Sequence, residues 1–508
     1  MSAAPIRRIV ILGGGTAGWS AAAAMAKFGE NQAQHLRKFD ITVVDSSQIG
    51  TIGVGEASVP NIANFNAWLG LDELDFIVST GGTFKLGIEF VDWRLAGTKF
   101  FHPFGRYGVD LKEADFHQCL AQARNAGFNA SLESFSLPIT LARQCRFSQP
   151  VKDARSPLSD FGYAYHFDAG LYAKRLRRYA LDRDVKQLDR KVVGAALTEK
   201  GHIDALVFDN GARLEEDLFI DCSGFNGILI EGALNTGYDD WSHWLACDRA
   251  VAMGCLHANK NLEPYTQATA CEAGWTWRIP LQHRVGNGYV YCSAFLEDQA
   301  ALDRLTSSME LNALAEPNFV RFVSGNRKRF WNKNCVALGL AGGFIEPLES
   351  TSINLVHRAL STLMEYFPDT DFDPRLQAVA NRRMRLETEN IRDFIILHYK
   401  ASQRRDTPFW CHCADMEIPD SLALKMDTYR AAGHLLQFEA ESFKPESWLT
   451  LFDGLGLIQE TVEPFARQLD AFELMGPLKA MQASIAQAAQ QAMPHAAFIE
   501  RFCPLPVQ

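Results

Sequence analysis

An unbroken apolar run, Ile9 Val10 Ile11 Leu12, stops at Gly13, and from Ala17 onward small apolar residues recur through an alanine-rich stretch. A second run, Ile41 Thr42 Val43 Val44, stops at Asp45. This pattern predicts strand, tight turn, helix and strand, with both strands buried on both faces. Further on, partial alternation predicts strands in Phe84–Trp93, Gly97–Phe101 and Ser136–Leu141, so residues 85–150 read as a sheet with exposed functional side chains. Asp168–Tyr179 has helical amphipathicity, Val185–Leu197 reads as strand, and Leu218 Phe219 Ile220 leads into Asp221 Cys222 Ser223 Gly224 Phe225. Residues 245–330 read mostly as strand, including Tyr289 Val290 Tyr291 Cys292, and Val336 Ala337 Leu338 runs into Gly339. From Pro374 the period becomes helical, in Leu376–Tyr399 and again in Leu478–Met493.

These elements predict an α/β fold assembled from separated pieces. A nucleotide-binding module draws on residues near 1–80, 160–240 and 331–373; a sheet-rich part near 81–159 and 241–330 is interleaved with it; a helical cap covers 374–508. The first turn carries the reason. Gly13 Gly14 Gly15 Thr16 Ala17 Gly18 is a GxGxxG sequence between a strand and a helix: one glycine for the turn, one for approach to a pyrophosphate, one for helix packing. Asp45 ends the next strand, where an acid accepts ribose hydroxyls. The glycine-spaced loop from Ser46 to Ala57 suits contact with a flat ligand, although an ordinary crossover loop has the same composition.

Composition narrows the possibilities. A chain of 508 residues supports two or three domains. A net charge of −10 and a pI near 5.8 argue against a nucleic-acid partner. Eleven cysteines without framework spacing, no signal peptide and no membrane-length apolar stretch point to a cytoplasmic protein.

Several groups could carry chemistry. In Gly339 Leu340 Ala341 Gly342 Gly343 Phe344 Ile345 Glu346 Pro347 Leu348 Glu349 Ser350 Thr351 Ser352 Ile353 Asn354, two carboxylates and three hydroxyls crowd a turn before a helix. The amides of Thr351 and Ser352 would sit at the helix start, an anion site, while Ser350 or Thr351 could equally be an N-cap. Lys85 puts an ammonium inside the apolar segment Thr83–Gly87, though a solvated position fits one lysine as well. Trp275 and Trp277 share a strand face, as core or as a wall beside a ring-shaped ligand. His102 Pro103 Phe104 forms an aromatic ledge or a satisfied turn. The adjacent residues Cys411 His412 Cys413 converge poorly on a tetrahedral ion, and no metal is expected.

Taken in order, Gly13–Gly18, Thr83–Gly87, Trp275–Pro280 and Phe344–Ile353 resemble the flavin-dependent tryptophan halogenase family, over essentially the whole chain. The resemblance implies a flavin-monooxygenase-like module holding FAD, with Val192, Leu340 and Ile353 joining Gly13, Gly14, Gly15, Thr16, Ala17, Gly18 and Asp45 at the cofactor. It implies a halide, chloride or bromide, at the amides of Thr351 and Ser352; many members have glycine at the position of Ser352. Reduced FAD, O2 and halide then yield hypohalous acid, which travels to a separate substrate site. Lys85 would receive it there, Glu349 would polarise the oxidant and take the ring proton, and the Trp275–Trp277 wall would keep substrate from the flavin. With no second GxGxxG, a separate reductase is expected to supply FADH2.

The same resemblance places His102 and Phe104 around the substrate ring, Trp448 is a further candidate there, and the helical cap supplies Phe409 and Trp410 as walls or cap core. Tryptophan-specific members carry paired tyrosines where this chain has Glu446 Ser447 Trp448 Leu449 Thr450 Leu451. Indole or an uncharged or larger indole derivative is therefore expected over free tryptophan, with attack at C3. The competing expectations are a flavin-dependent aromatic hydroxylase and a non-catalytic carrier built on the same nucleotide fold.

Overall fold

Five strands lie parallel in the first sheet, in the order Cys335–Ala337, Leu218–Asp221, Arg8–Leu12, Asp40–Asp45, Lys186–Asp189, with Trp331–Asn332 antiparallel at one edge. In this computed structural model the described residues are 4–30, 39–47, 55–153, 156–159, 161–259 and 261–506. The register sets Ile9 opposite both Ile41 and Leu218, so the apolar runs of the sequence stand side by side in the centre. Helices Thr16–Glu30 and Ala169–Leu181 pack together, the second capped by Asp168, whose carboxylate accepts from the Leu171 amide at 3.0 Å.

The chain divides into two units. The first comprises residues 1–81, 167–248 and 321–389, and contains the parallel sheet. The second comprises 82–166, 249–320 and 390–508. The division between Glu389 and Asn390 falls within the long helix Pro374–Lys400. The second unit is built on a sheet in which Arg249–Cys255, Val285–Tyr291, Gly274–Pro280, Thr266–Cys271, Gly87–Val91 and Lys99–Pro103 are successive neighbours. All of these pairings are antiparallel except that of Thr266–Cys271 with Gly87–Val91. Its helices include Phe116–Asn125, Pro408–Asp415, Asp420–Ala432, Pro445–Leu455 and Ala471–Gln491.

Three local expectations are corrected. Ser136–Leu141 is not a strand: Leu137–Arg143 is a helix, with Ser136 extended at its start and Pro138 in its first turn, where the missing N–H costs nothing. The strand-rich stretch 245–330 also contains the helix Asp298–Ser308, which buries only Ala301 and Leu305, one turn apart. Within residues 85–150 the functional side chains are buried rather than exposed: Lys85 and His102 are both inside. An apolar run of four or five residues satisfies either period, and proline in the first turn decides for helix.

A buried imidazole in the first unit carries a measurable consequence. His357, on helix Ser352–Glu365, stacks on Phe65 at 3.7 Å, and neither of its ring nitrogens has a hydrogen-bond partner. Burial pushes its pKa down to about 3. Between 6.5 and that value the unfolded chain takes up a proton that the folded chain refuses, so the folded state loses stability as pH falls. His357→Phe should therefore raise the unfolding midpoint, by roughly 1–2 kcal/mol near pH 7 through removal of two unsatisfied atoms, and by about 1.4 kcal/mol more for each pH unit below 6.5. Thermal melts from pH 7 to 5 check this; a variant no more stable than wild type at pH 5.5 contradicts it.

Candidate functional site

The site residues of the first unit gather at the carboxyl ends of the parallel strands. Gly13 has φ +118°, and a Cβ on it would stand 2.3 Å from the Cys222 carbonyl oxygen. A Cβ on Gly18 would stand 1.8 Å from the Gly13 carbonyl oxygen, so the helix Thr16–Glu30 can sit against the strand only with glycine there. Gly15 differs: a Cβ there would meet nothing within 4 Å. Its backbone faces open space at the helix start, where the dipole favours an anion. Asp45 lies beside Gly14 and accepts from Gln187 Nε2 at 3.1 Å. Gly339 comes so near Ala17 that an added Cβ would lie 2.9 Å from the Ala17 Cβ. This brings the turn Gly339–Ala341, with Leu340, to the glycine loop. Open backbone at a helix start and an acid at the next strand end are what a dinucleotide needs, and they fit FAD. Val192 is sealed into the core with Val10, Leu12 and Val44. Residues 48–54 of the expected glycine-spaced loop lie outside the described residues.

Asp221, the other acid at a strand end, is committed to structure. Its carboxylate accepts from the amides of Ser223, Leu229 and Ile230 at 3.0, 2.8 and 2.8 Å and from Ser223 Oγ at 2.6 Å.

The turn before helix Ser352–Glu365 buries Glu346 and Glu349. Ser350 follows at φ +60°, a left-handed conformation costly for a residue with a Cβ. Thr351 occupies the N-cap position without making a side-chain cap hydrogen bond, and Ser352 begins the helix. The amides of this first turn have no intrahelical acceptor, which leaves them available to an anion. Ile353 is buried in the same turn, and the Asn354 side-chain oxygen accepts from Asn61 Nδ2 at 3.1 Å, tying the helix start to helix Asn61–Leu69.

Lys85 lies in the second unit, wholly buried at the end of strand Thr83–Lys85. Its Nζ stands 5.2 Å from the centroid of the Phe104 ring, whose amide donates to the Leu86 carbonyl at 2.9 Å. Phe104 and Lys85 are thus brought together. His102, two residues back, is buried with its ring 5.7 Å from Phe394 and 6.2 Å from Phe443. Phe394 stacks on Phe443 at 3.8 Å and meets the Trp448 ring edge-on at 5.0 Å, so His102 and Trp448 belong to one aromatic cluster. Trp275 and Trp277 share a face, ring centroids 6.0 Å apart, and the room for Trp277 comes from Gly288, where a Cβ would stand 2.0 Å from the indole. Phe409 and Trp410 lie elsewhere: Trp410 Nε1 donates to the Cys271 carbonyl at 2.7 Å, and both rings pack on Tyr399. Their polar atoms and faces are taken up by the core.

Residues that the sequence did not single out also belong here. Phe394 and Phe443 complete the cluster around His102, and their helical and loop segments gave no chemical signal. Tyr107 Oη lies 2.8 Å from Thr450 Oγ1, which itself donates to the Glu446 carbonyl at 2.8 Å. His166, in the run Ala164 Tyr165 His166 Phe167, is a histidine in an otherwise apolar strand, a signal that was readable.

A mostly parallel sheet with a glycine loop at its carboxyl ends defines a dinucleotide-binding α/β enzyme. The sequence model of the family described as tryptophan halogenase matches residues 8–471. BrvH, a flavin-dependent halogenase from Brevundimonas sp. BAL3, is 41% identical and superimposes with a TM-score of 0.94, covering 98% of this chain and 99% of that one. A flavin-dependent halogenase from Xanthomonas campestris gives 40% identity and a TM-score of 0.94 over 99% and 100% of the two chains. The 7-chloro-L-tryptophan 6-halogenase KtzR of Kutzneria sp. (strain 744) is 36% identical over 443 residues, 83% of this chain and 84% of the relative. The chain belongs to the tryptophan halogenase family and is a flavin-dependent halogenase. That membership removes the non-catalytic carrier from consideration.

The two glycines predict different failures. Gly15→Ala should leave the unfolding midpoint within about 1 °C of wild type yet weaken FAD binding at least tenfold, about 1.4 kcal/mol, because its methyl enters only the open space. Gly18→Ala should lower the midpoint by several degrees even without flavin, since its methyl meets the Gly13 carbonyl. Melting curves and flavin fluorescence titrations separate the two; an alanine at Gly15 that binds FAD normally contradicts the placement.

Proposed function

We propose that this enzyme uses FADH2, O2 and a halide to make hypohalous acid and halogenates an electron-rich aromatic ring, indole or an uncharged indole derivative. The reduced flavin, when bound, would supply the two electrons that bring O2 to the oxidation level able to oxidise the halide, and a separate reductase would deliver it. Gly13, Gly14, Gly15, Thr16, Ala17, Gly18 and Asp45 hold its nucleotide part, with Leu340 and Ile353 on nearby backbone. The amides of Thr351 and Ser352 hold the halide. Lys85 meets the hypohalous acid, either donating a hydrogen bond to it or carrying the halogen as a haloamine. Glu349 helps polarise the oxidant and accepts the proton that the ring releases. The burial of both side chains supports these roles, since water would consume the electrophile and weaken each charge.

The observation that carries the substrate reading is a proton count. Thr450 Oγ1 spends its one proton on the Glu446 carbonyl, so Tyr107 Oη must donate to Thr450. Neither hydroxyl has a proton left for a substrate carboxylate. Among the ring contacts of His102 are Phe394 and Phe443, with Trp448 beyond, and such apolar faces pair poorly with a zwitterion. A ring without an amino-acid end suits such walls. With few polar contacts to override it, the intrinsic reactivity of indole directs halogen to C3.

Two outcomes are expected. Lys85→Ala and Glu349→Gln should each lower halogenation by more than tenfold, a loss above about 1.4 kcal/mol of transition-state stabilisation, while FAD affinity stays within a few-fold and circular dichroism is unchanged. A variant that keeps more than a tenth of the rate loses its assigned role. In a competition supplied with FADH2, oxygen and bromide, indole should be consumed ahead of tryptophan and yield 3-bromoindole. Tryptophan winning with a single benzo-ring product would overturn the substrate reading, and a hydroxylated product independent of bromide would overturn the halogenase reading.

A further inference from the structure

Lys85 ends a strand of three residues, Thr83–Lys85, paired antiparallel with Ala164–Asp168 so that Thr83 faces His166 and Lys85 faces Ala164. The backbone at Lys85 is thus set by a ladder of only three residue pairs. Each of the two residues before Lys85 is also gripped by a buried imidazole, and counting protons fixes both tautomers.

Thr83 Oγ1 lies 2.7 Å from the Pro280 carbonyl oxygen, which can only accept, so the hydroxyl proton is spent there. The contact of 3.0 Å between Thr83 Oγ1 and His166 Nδ1 is therefore an N–H donated by the ring. Burial, and after it the Lys85 ammonium, hold His166 well below the usual imidazole range, so the ring is neutral. Its Nε2 is then a lone pair, and it accepts from Thr266 Oγ1 at 3.0 Å. A one-way chain results, from Thr266 through His166 and Thr83 to Pro280. His495 repeats the arrangement one residue along. Its Nδ1 donates to the Leu262 carbonyl at 2.6 Å, and its Nε2 accepts the Phe84 amide at 3.2 Å. The Phe84 ring meanwhile stacks on Phe147 at 4.1 Å. Packing alone would have needed no such polarity, because an apolar side chain in place of His166 would fill the same volume. What the chain adds is a fixed position for the backbone that bears Lys85, and transfer of an electrophile is sensitive to displacements well under 1 Å.

We propose that His166, as a neutral Nδ1–H imidazole bridging Thr266 and Thr83, is a positioning residue for Lys85, with His495 holding the Phe84 amide to the same end. The inference rests on Lys85 being the lysine that meets the halogenating agent. His166 touches neither substrate nor cofactor in this role; it acts through the strand.

The test compares His166→Phe, His166→Asn, Thr83→Val and Lys85→Ala for two quantities: bromoindole formed per FADH2 consumed, and oxidising bromine released to a soluble thioether trap when indole is absent. His166→Phe and Thr83→Val should each lower the product ratio about tenfold with trap oxidation within twofold of wild type. His166→Asn, whose amide keeps a donor toward Thr83, should recover at least a third of the wild-type ratio. His166→Phe added to Lys85→Ala should lower the ratio no further than Lys85→Ala alone. Nitrogen-15 histidine spectra of the enzyme without flavin should place His166 in the Nδ1–H form at pH 6. The proposal is overturned if His166→Phe folds and keeps more than half the ratio, if product and trap oxidation fall together, if the double variant drops further, or if the ring is the Nε2–H tautomer. Should His166→Phe fail to fold, Thr83→Val decides by the same criteria. A wild-type ratio in Lys85→Ala would overturn the lysine reading itself, which is distinguishable from a failure confined to the His166 and Thr83 variants.

Discussion

Taking the Lys85 ammonium wholly out of water costs several kcal/mol, and much of the second unit can be understood as the means by which that cost is borne. The face of the Phe104 ring lies 5.2 Å from Nζ, a cation–π contact that is stronger for being dry. Two buried imidazoles that grip the same strand are kept uncharged: burial holds His166 well below its usual range and brings His495 down to about 4. A protonated His166 would add a second positive charge that the Lys85 ammonium opposes. Neutral rings, each with a defined tautomer, can grip the strand without that repulsion, and this is why histidine serves here where lysine or arginine would not. The sheet ends that present Pro280 and Leu262 supply the carbonyls on which both tautomers depend.

The first unit handles its acids by two opposite means. Asp221 is surrounded by donors, three amides and a hydroxyl, and is thereby spent as a structural link between the strand Leu218–Asp221 and the turn beyond it. Glu349 is buried in a turn that bends sharply at Ser350, and a left-handed residue with a Cβ costs about 1–3 kcal/mol. The bend sets the start of helix Ser352–Glu365, whose first-turn amides have no intrahelical acceptor, immediately after the carboxylate. Charge, strain and helix terminus are concentrated within four residues of chain.

Much of this could be read in the sequence because parallel strands buried on both faces appear as unbroken apolar runs, and glycines spaced as they are between Leu12 and Trp19 suit a phosphate-binding turn far better than an ordinary loop. The short helices could not be read so directly. Leu137–Arg143 is a short, nearly continuous apolar run that fits either period, and Asp298–Ser308 buries too few residues for a helical period to stand out. The environment of Lys85 was hidden for a different reason: His166 finds its partners 83 and 100 residues away, and no local pattern announces a bond of that span. The tryptophans show the limit from the other side. Trp410 and Trp448 are equally prominent in the sequence and both are buried, but only the structure shows that the indole N–H of Trp410 is answered by the Cys271 carbonyl within the core.

That distinction bears on what separates this chain from relatives named for tryptophan. Rings whose polar atoms are paired internally are scaffold, and a continuous series of them runs from Trp410 through Trp93 and His398 to Phe394. At its end lie His102, Phe443 and Trp448, and there the hydroxyls of Tyr107 and Thr450 are turned inward to satisfy one another and the helix carbonyl of Glu446. Recognition of a free amino acid requires donors held ready for a carboxylate, and donors so held cannot also be satisfied by the protein before substrate arrives. On the proposed substrate reading, a fold that has already spent those protons gives up the discrimination they would have provided. Selectivity on that reading comes from the shape and electron density of the ring, so changes among the aromatic neighbours of His102 would alter which rings are accepted without altering how the halogenating agent is made.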